Sequence, residues 1–226
     1  MSECIKTKFK HISRNSKLLY PSFDIPIREC RKTCEYDKSN LCYAKNNPRY
    51  MVFLNPKLQN NEKLLNSKRF VNVLKREILL SNTRKFRFFS CGDLYKIDHL
   101  EKIEQIAQEL PFIQFWLSTH LDSILFQKYE KSRPPNNLNI ILSNKIPNTE
   151  APLFLKKWLN QRGMAISNTT NDIKKSNCHS SYDKTSCGLC DKCFTGENIT
   201  YFIHGKHAAK RLEKYQAITT KNLGDL

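Results

Sequence analysis

Residues 85–119 read KFRFFSCGDLYKIDHLEKIEQIAQELPFIQFWLST, and the fold follows from how this stretch divides. KFRFFS, residues 85–90, is a short aromatic run suited to a strand. In IDHLEKIEQIAQEL, Leu100, Ile103, Ile106, Ala107 and Leu110 fall on one face at helical spacing. Asp98, with Glu101 three residues on, is expected to cap that helix, and Pro111 to stop it. FIQFWL, residues 112–117, is then the next strand.

The same unit recurs downstream. Expected strand starts lie near Phe86, Phe112, Leu138 and Met164, each 26 residues after the last. A strand, a helix and two loops need about that length. Asp122–Tyr129 reads as a helix and Leu138–Leu142 as a buried strand. Residues 151–162 read as a helix, with Gly163 where a left-handed C-cap is wanted. Upstream, LLYPSFDIP (18–26) offers a first strand, and Lys63–Leu80 one helix with Phe70, Leu74 and Ile78 on a face. Apolar strands alternating with helices argue for a parallel sheet. The expected class is therefore α/β: a partial (open) parallel β/α barrel of five or six βα units, followed by a cysteine-rich C-terminal metal-binding extension. The boundary is placed at residue 170, giving segments 1–170 and 171–226. Residues 171–192 are too polar to continue the sheet, so something other than an apolar core must order them.

Thirty-eight Lys and Arg against twenty-one Asp and Glu give the 226-residue chain a formal net charge of +17. An excess of this size points to a polyanionic partner, nucleic acid above all. It is uneven: eight basic residues stand against two acidic ones between Glu62 and Arg87. A second basic group, Lys206, Lys210, Arg211 and Lys214, lies near the C-terminus and is expected to touch phosphate. No run of apolar residues is long enough to span a membrane, and no apolar segment follows the N-terminal charges as in a signal peptide. A cytoplasmic location is expected, where clustered thiols are metal ligands far more often than disulfides.

The nine cysteines fall into two groups and two single residues. Cys187, Cys190 and Cys193 form a C-x2-C-x2-C run, SCGLCDKC, with Cys178 nine positions upstream of Cys187 and Gly188 easing the backbone between them. Two-residue gaps let thiolates turn inward around one centre. Ferredoxin-type clusters use this run, whereas structural zinc more often takes two separated pairs, so a [4Fe–4S] cluster is favoured over zinc. Cys30, Cys34 and Cys42 follow the first expected strand, on a βα loop. Such loops form the functional face of β/α barrels. Cys91 is either a small buried residue, the favoured reading, or a fourth ligand to this triad; Cys4 is expected to be unimportant.

A cysteine triad after the first strand, Gly92-Asp93 after the second and Ser118-Thr119-His120 after the third resemble the radical S-adenosylmethionine (SAM) enzymes. More closely, the order CYA, CGDL, FWLSTH, CGLCDKC and YFIHG is similar to the phage and plasmid "gene product 88" family. The resemblance covers roughly Leu18 to Gly205. It implies that Cys30, Cys34 and Cys42 hold a reactive [4Fe–4S] cluster, and that Gly92, Asp93, Ser118 and Thr119 orient the cosubstrate S-adenosylmethionine. Cys178, Cys187, Cys190 and Cys193 would then hold an auxiliary cluster. The chain departs from the radical-SAM pattern in its triad gaps, three and seven residues where three and two are usual, and in Asp93, which shortens the acid of the Gly-Gly-Glu-like motif. Gly92-Asp93 also reads as a strand-end turn whose Asp caps backbone amides. His120, His179, His204 and His207 are weaker candidates for base, ligand or phosphate contact.

Two functions follow. The first is a radical-SAM-like iron–sulfur protein of phage or plasmid type that acts on or binds nucleic acid. The second is a non-catalytic nucleic-acid-binding protein whose cysteines bind structural zinc.

Overall fold

A computed structural model of the chain describes residues 9–14, 18–27, 30, 34–47, 49–183, 187, 190–203, 208 and 210–216. Cys4, Gly188, His204, Lys206 and His207, singled out above, lie outside the described residues. Seven strands form one sheet in sequence order: β1 (Ile12–Arg14), β2 (Pro21–Phe23), β3 (Lys85–Phe88), β4 (Gln114–Thr119), β5 (Leu138–Ser143), β6 (Ala165–Thr170) and β7 (Ile199–Phe202). β1 pairs antiparallel with β2, and every later pair is parallel. The fold is a mixed α/β structure on a mostly parallel sheet. The helices are α1 (Glu35–Lys38), α2 (Asn55–Leu65), α3 (Phe70–Leu80), α4 (Ile97–Glu109), α5 (Asp122–Lys128) and α6 (Leu153–Asn160). None of the described helices is long and apolar enough to cross a membrane.

The period-two alternation of the strands separates two faces. Phe86, Phe88, Phe115, Leu117, Ile140, Leu142 and Ile166 point to one side and join Leu65, Leu74, Ile78, Leu100, Ile106 and Leu159 of the helices in the main core. The residues between them, Trp116, Ile141, Ala165 and Ile199, point to the other side. There they meet Cys178 and, from a short 3-10 turn, Cys193 and Phe194, rather than an α-helix.

Several elements differ from the reading of the sequence. The single helix expected over 63–80 is two, α2 and α3, interrupted at residues 66–69. Asn66 turns its side-chain amide onto the Glu62 carbonyl, and the Ser67 hydroxyl onto the Leu64 carbonyl. These local bonds compete with the helical ladder and end it. Helix α4 starts at Ile97, so Asp98 sits in the first turn and pairs with Lys102 instead of capping. Gly163 takes φ +69° as expected and closes the turn after α6. The cysteine-rich segment is not an appendage beyond the sheet. It is the connection between β6 and β7, and β7 lies past the expected boundary at residue 170. Hydrogen bonds order it together with the small apolar cluster under Cys178, Cys193 and Phe194. Asn177 exchanges bonds with the backbone of Thr200 and Asn198, Ser181 Oγ accepts from Phe202 N at 2.9 Å, and Asn139 Nδ2 donates to the Cys193 carbonyl at 2.7 Å.

Strand β1, unforeseen in the sequence, is held by Glu77 of α3. Its carboxylate accepts from His11 N, Ile12 N and the His11 ring at 2.8–3.0 Å. Burial opposes ionisation, but these bonds outweigh it and hold the Glu77 pKa down at about 2 from an ordinary 4.5. Because the folded-state value is depressed, the stabilisation is present above the ordinary value and is lost as pH falls towards 2. The expected difference between wild type and Glu77→Gln is about 2–3 kcal/mol near neutral pH. Urea unfolding should show it shrinking below pH 4.5; a difference independent of pH would refute the assignment.

Candidate functional site

Strand β2 leads into the first cysteine loop. Cys34 N donates to the Cys30 carbonyl at 3.0 Å, and Cys34 begins the short helix α1. The chain then doubles back, so that Leu41 N and Cys42 N both donate to the Tyr36 carbonyl at 2.8 Å. The seven-residue gap between Cys34 and Cys42 is thus filled by one helical turn and its return. Cys30, Cys42 and the buried Cys91 pack around Ile27, Ala44 and Leu58 in one small cluster. Cys91 is buried, as favoured from the sequence, yet it stands with the triad rather than apart from it.

Cys91 and Gly92 follow the end of β3 and stay against the segment that leaves β2. Ile25 N donates to the Cys91 carbonyl at 3.1 Å. Asp24, only 2% exposed, takes Ser90 N, Ser90 Oγ and Cys91 N on one oxygen and Ser22 Oγ on the other. Gly92 has φ +84°, and a Cβ there would lie 2.6 Å from the Ile25 carbonyl oxygen. Backbone geometry therefore demands glycine at this position. Asp93 accepts Leu94 N at 2.7 Å on one oxygen and His120 N at 2.8 Å on the other. It ties the end of β3 to the end of β4, in keeping with the amide-capping reading, and each oxygen keeps a second lone pair.

These groups line one cavity of about 460 Å³. Cys34, Cys42, Cys91, Gly92, Asp93, Ser118 and His120 form part of its wall. Cys178, Cys187 and Cys193 form another part. The two cysteine groups, separated by more than a hundred residues, therefore share a chamber. Cys30 is half-buried beside it, and Cys190 is exposed. Burial pushes the Cys30, Cys34, Cys91 and Cys178 thiols up, and takes Cys193 to about 12. These five thiols are held neutral unless a cation offsets their charge. Among the described residues, no three His, Cys, Asp or Glu side chains stand in ligating geometry about one point.

Ser118 faces the cavity, bonded to Ser143 Oγ at 2.8 Å, and Ser167 continues the row. Thr119, grouped with Ser118 in the sequence reading, points the other way. It is fully buried and registers with Leu142 of the helical face, because neighbours on a strand face opposite sides. His120 returns to the cavity side. His179 is bonded to Tyr182 and carries no cavity contact.

Sequence reading missed Asp24 and misassigned Arg87. Arg87 was counted only as part of the basic stretch between Glu62 and Arg87, but it lines the cavity, its guanidinium 4.3 Å above the Trp116 ring. The alternation Phe86–Arg87–Phe88 carried the signal: an arginine between two core-facing phenylalanines must face the other side of the sheet. Of the remaining basic residues in that stretch, Lys63, Lys68, Arg69, Arg76 and Arg84 are exposed, while Lys75 pairs with Glu109 and Lys85 with Asp191. Near the C-terminus Lys210 and Lys214 are exposed, and Arg211 is half-buried with a long bond to the Asn40 carbonyl. Between them Leu212 is fully buried against Leu41 and Tyr36, so this helical segment buttresses the cysteine loop.

No curated protein and no solved structure matches this chain. A family model does, over nearly its whole length, and the motifs that build the cavity lie inside the match. Through residues 5–221 the chain belongs to the Gene product 88 family.

Proposed function

We propose that this is a thiolate-ligated iron–sulfur protein of radical-SAM-like type, with the shared cavity as its site. The observation that carries the reading is that both cysteine groups line one chamber with Gly92, Asp93, Ser118 and His120. The donor set fits the group in chemistry: soft thiols, most of them buried or half-buried, whose charge as thiolates a metal would compensate. Cys30, Cys34 and Cys42 would hold one [4Fe–4S] cluster, and Cys178, Cys187, Cys190 and Cys193 another. When bound, such a cluster supplies one-electron chemistry. The sequential, mostly parallel strand order with helices packed on one face supports an open barrel around this chamber.

Within it, the free lone pairs of Asp93 can accept an ammonium group, such as that of S-adenosylmethionine. The Ser118–Ser143–Ser167 hydroxyls offer a polar wall, and His120, anchored through its backbone on Asp93, offers a ring nitrogen. The exposed lysines and arginines at residues 63–84, with Lys210 and Lys214, support a nucleic-acid partner through phosphate contacts.

Metal and sulfide analysis of anaerobically prepared protein tests this reading. Brown protein with about eight irons is expected, falling by about half in Cys190→Ser and, separately, in Cys34→Ser. Colourless protein with stoichiometric zinc would instead establish the structural-zinc reading. Full iron retention in either variant would remove that cysteine group from the ligands.

A further inference from the structure

Arg87 is the one arginine or lysine among the described residues that line the cavity, and Asp93 is the one carboxylate there. Their charges do not meet. Both Asp93 oxygens are engaged by backbone N–H groups, and Asp24, the other buried acid near β3, is engaged by four donors. Among the described residues no carboxylate pairs with Arg87. Its own hydrogen bonding is sparse. One terminal nitrogen donates to the Phe89 carbonyl at a long 3.4 Å, and the buried Nε has no partner.

Arg87 is half-buried and, among the described residues, has no carboxylate in hydrogen-bonding reach, and a partly desolvated guanidinium in that state is costly, so a position like this persists where something pairs with it. The surroundings define what that is. Trp116 covers one flat face of the guanidinium, leaving the N–H edge as the binding edge. That edge is a planar fork, which matches two oxygens of a carboxylate or phosphate. Cavities of this size hold ligands of metabolite to nucleotide dimensions, and Tyr20, Tyr43 and Tyr201 give this one aromatic walls.

We infer that Arg87 is the oxyanion-binding residue of the cavity, gripping the carboxylate or phosphate of a ligand whose body lies against the aromatic wall. The inference rests on the cavity and not on the metal reading, and it names the charge of the molecule the chamber accepts.

Thermal unfolding in phosphate, and separately in acetate, each against chloride at equal ionic strength, tests it. About 50 mM of the matching anion should raise the wild-type Tm by about 3–6 °C. Which anion does so distinguishes a phosphate-bearing from a carboxylate-bearing ligand. Arg87→Met should lose the shift. Arg87→Lys, which keeps the charge but not the fork, should lose at least half of it and serves if the methionine variant does not fold. Equal shifts in wild type and variants would assign the anions to the basic surface and overturn the inference, as would no wild-type shift with either anion. Iron measured on the same samples keeps this outcome separate from the cluster reading, since the shift is expected in brown and colourless protein alike.

Discussion

Replacing Gly92 with alanine should destabilise the protein by about 3–5 kcal/mol and lower Tm by about 10 °C. Two effects add. The backbone at Gly92 has φ +84°, a region that L side chains rarely occupy. The new methyl would also lie 2.5 Å from Ile25 Cγ1 and 2.6 Å from the Ile25 carbonyl oxygen. A side chain can swing away, but that carbonyl belongs to the same residue whose N–H is bonded to Cys91, so the ends of β2 and β3 would have to part. The fold supplies its own control. Gly163 has φ +69° but nothing within 4 Å of its ideal Cβ, so Gly163→Ala should cost only the conformational term, about 1 kcal/mol. Denaturant unfolding of the two variants decides the matter. If Gly92→Ala is no worse than Gly163→Ala, the close approach at Ile25 is not what selects glycine.

The second large effect is expected at Asp24. Asp24→Ala leaves Ser90 N and Cys91 N without their acceptor, in residues that are 4% and 2% exposed. Orphaning two buried amides and the Ser22 and Ser90 hydroxyls should cost about 4 kcal/mol. Asp24→Asn, with a single acceptor oxygen, should fall between. The change should also be local. Cys91 is bonded through its backbone to Asp24, so its thiol should become accessible to alkylating reagents in Asp24→Ala while remaining protected in wild type. Mass-spectrometric mapping of the modified cysteines reads this directly. Unchanged protection of Cys91 would mean that Asp24 supports the strand ends without controlling the thiol.

These two residues illustrate how the site divides between pattern and contact. Gly92 was visible in the sequence, in the setting of a cosubstrate motif, and the structure supplies a backbone reason for it that needs no ligand. Asp24 was invisible, because an aspartate between Phe23 and Ile25 has no local signature. Its partners Ser90 and Cys91 are 66 and 67 residues away. Arg87 stood between these cases. Its alternation with Phe86 and Phe88 was legible, but a count of charges along the chain only grouped it with the basic stretch ending there.

The sequence alone determined the elements whose signals are local. Strands β3 to β6 came from apolar runs at a constant spacing, α4 from 3.6-residue periodicity, Gly163 from its place after a helix, and the two cysteine groups from their short gaps. Such patterns act within a few residues, so they survive without knowledge of the rest of the chain. The break between α2 and α3 and the added strands β1 and β7 were settled by side-chain hydrogen bonds and long-range pairing. Tertiary structure alone also decided which side of β4 Ser118 and Thr119 face, and laid the cysteine-rich connection across the sheet. It turned Arg87 inward and brought Cys34 and Cys193 to one cavity. The reason is that a parallel sheet sets side by side strands far apart in sequence, and what meets across it depends on register and face, which no short window of residues contains.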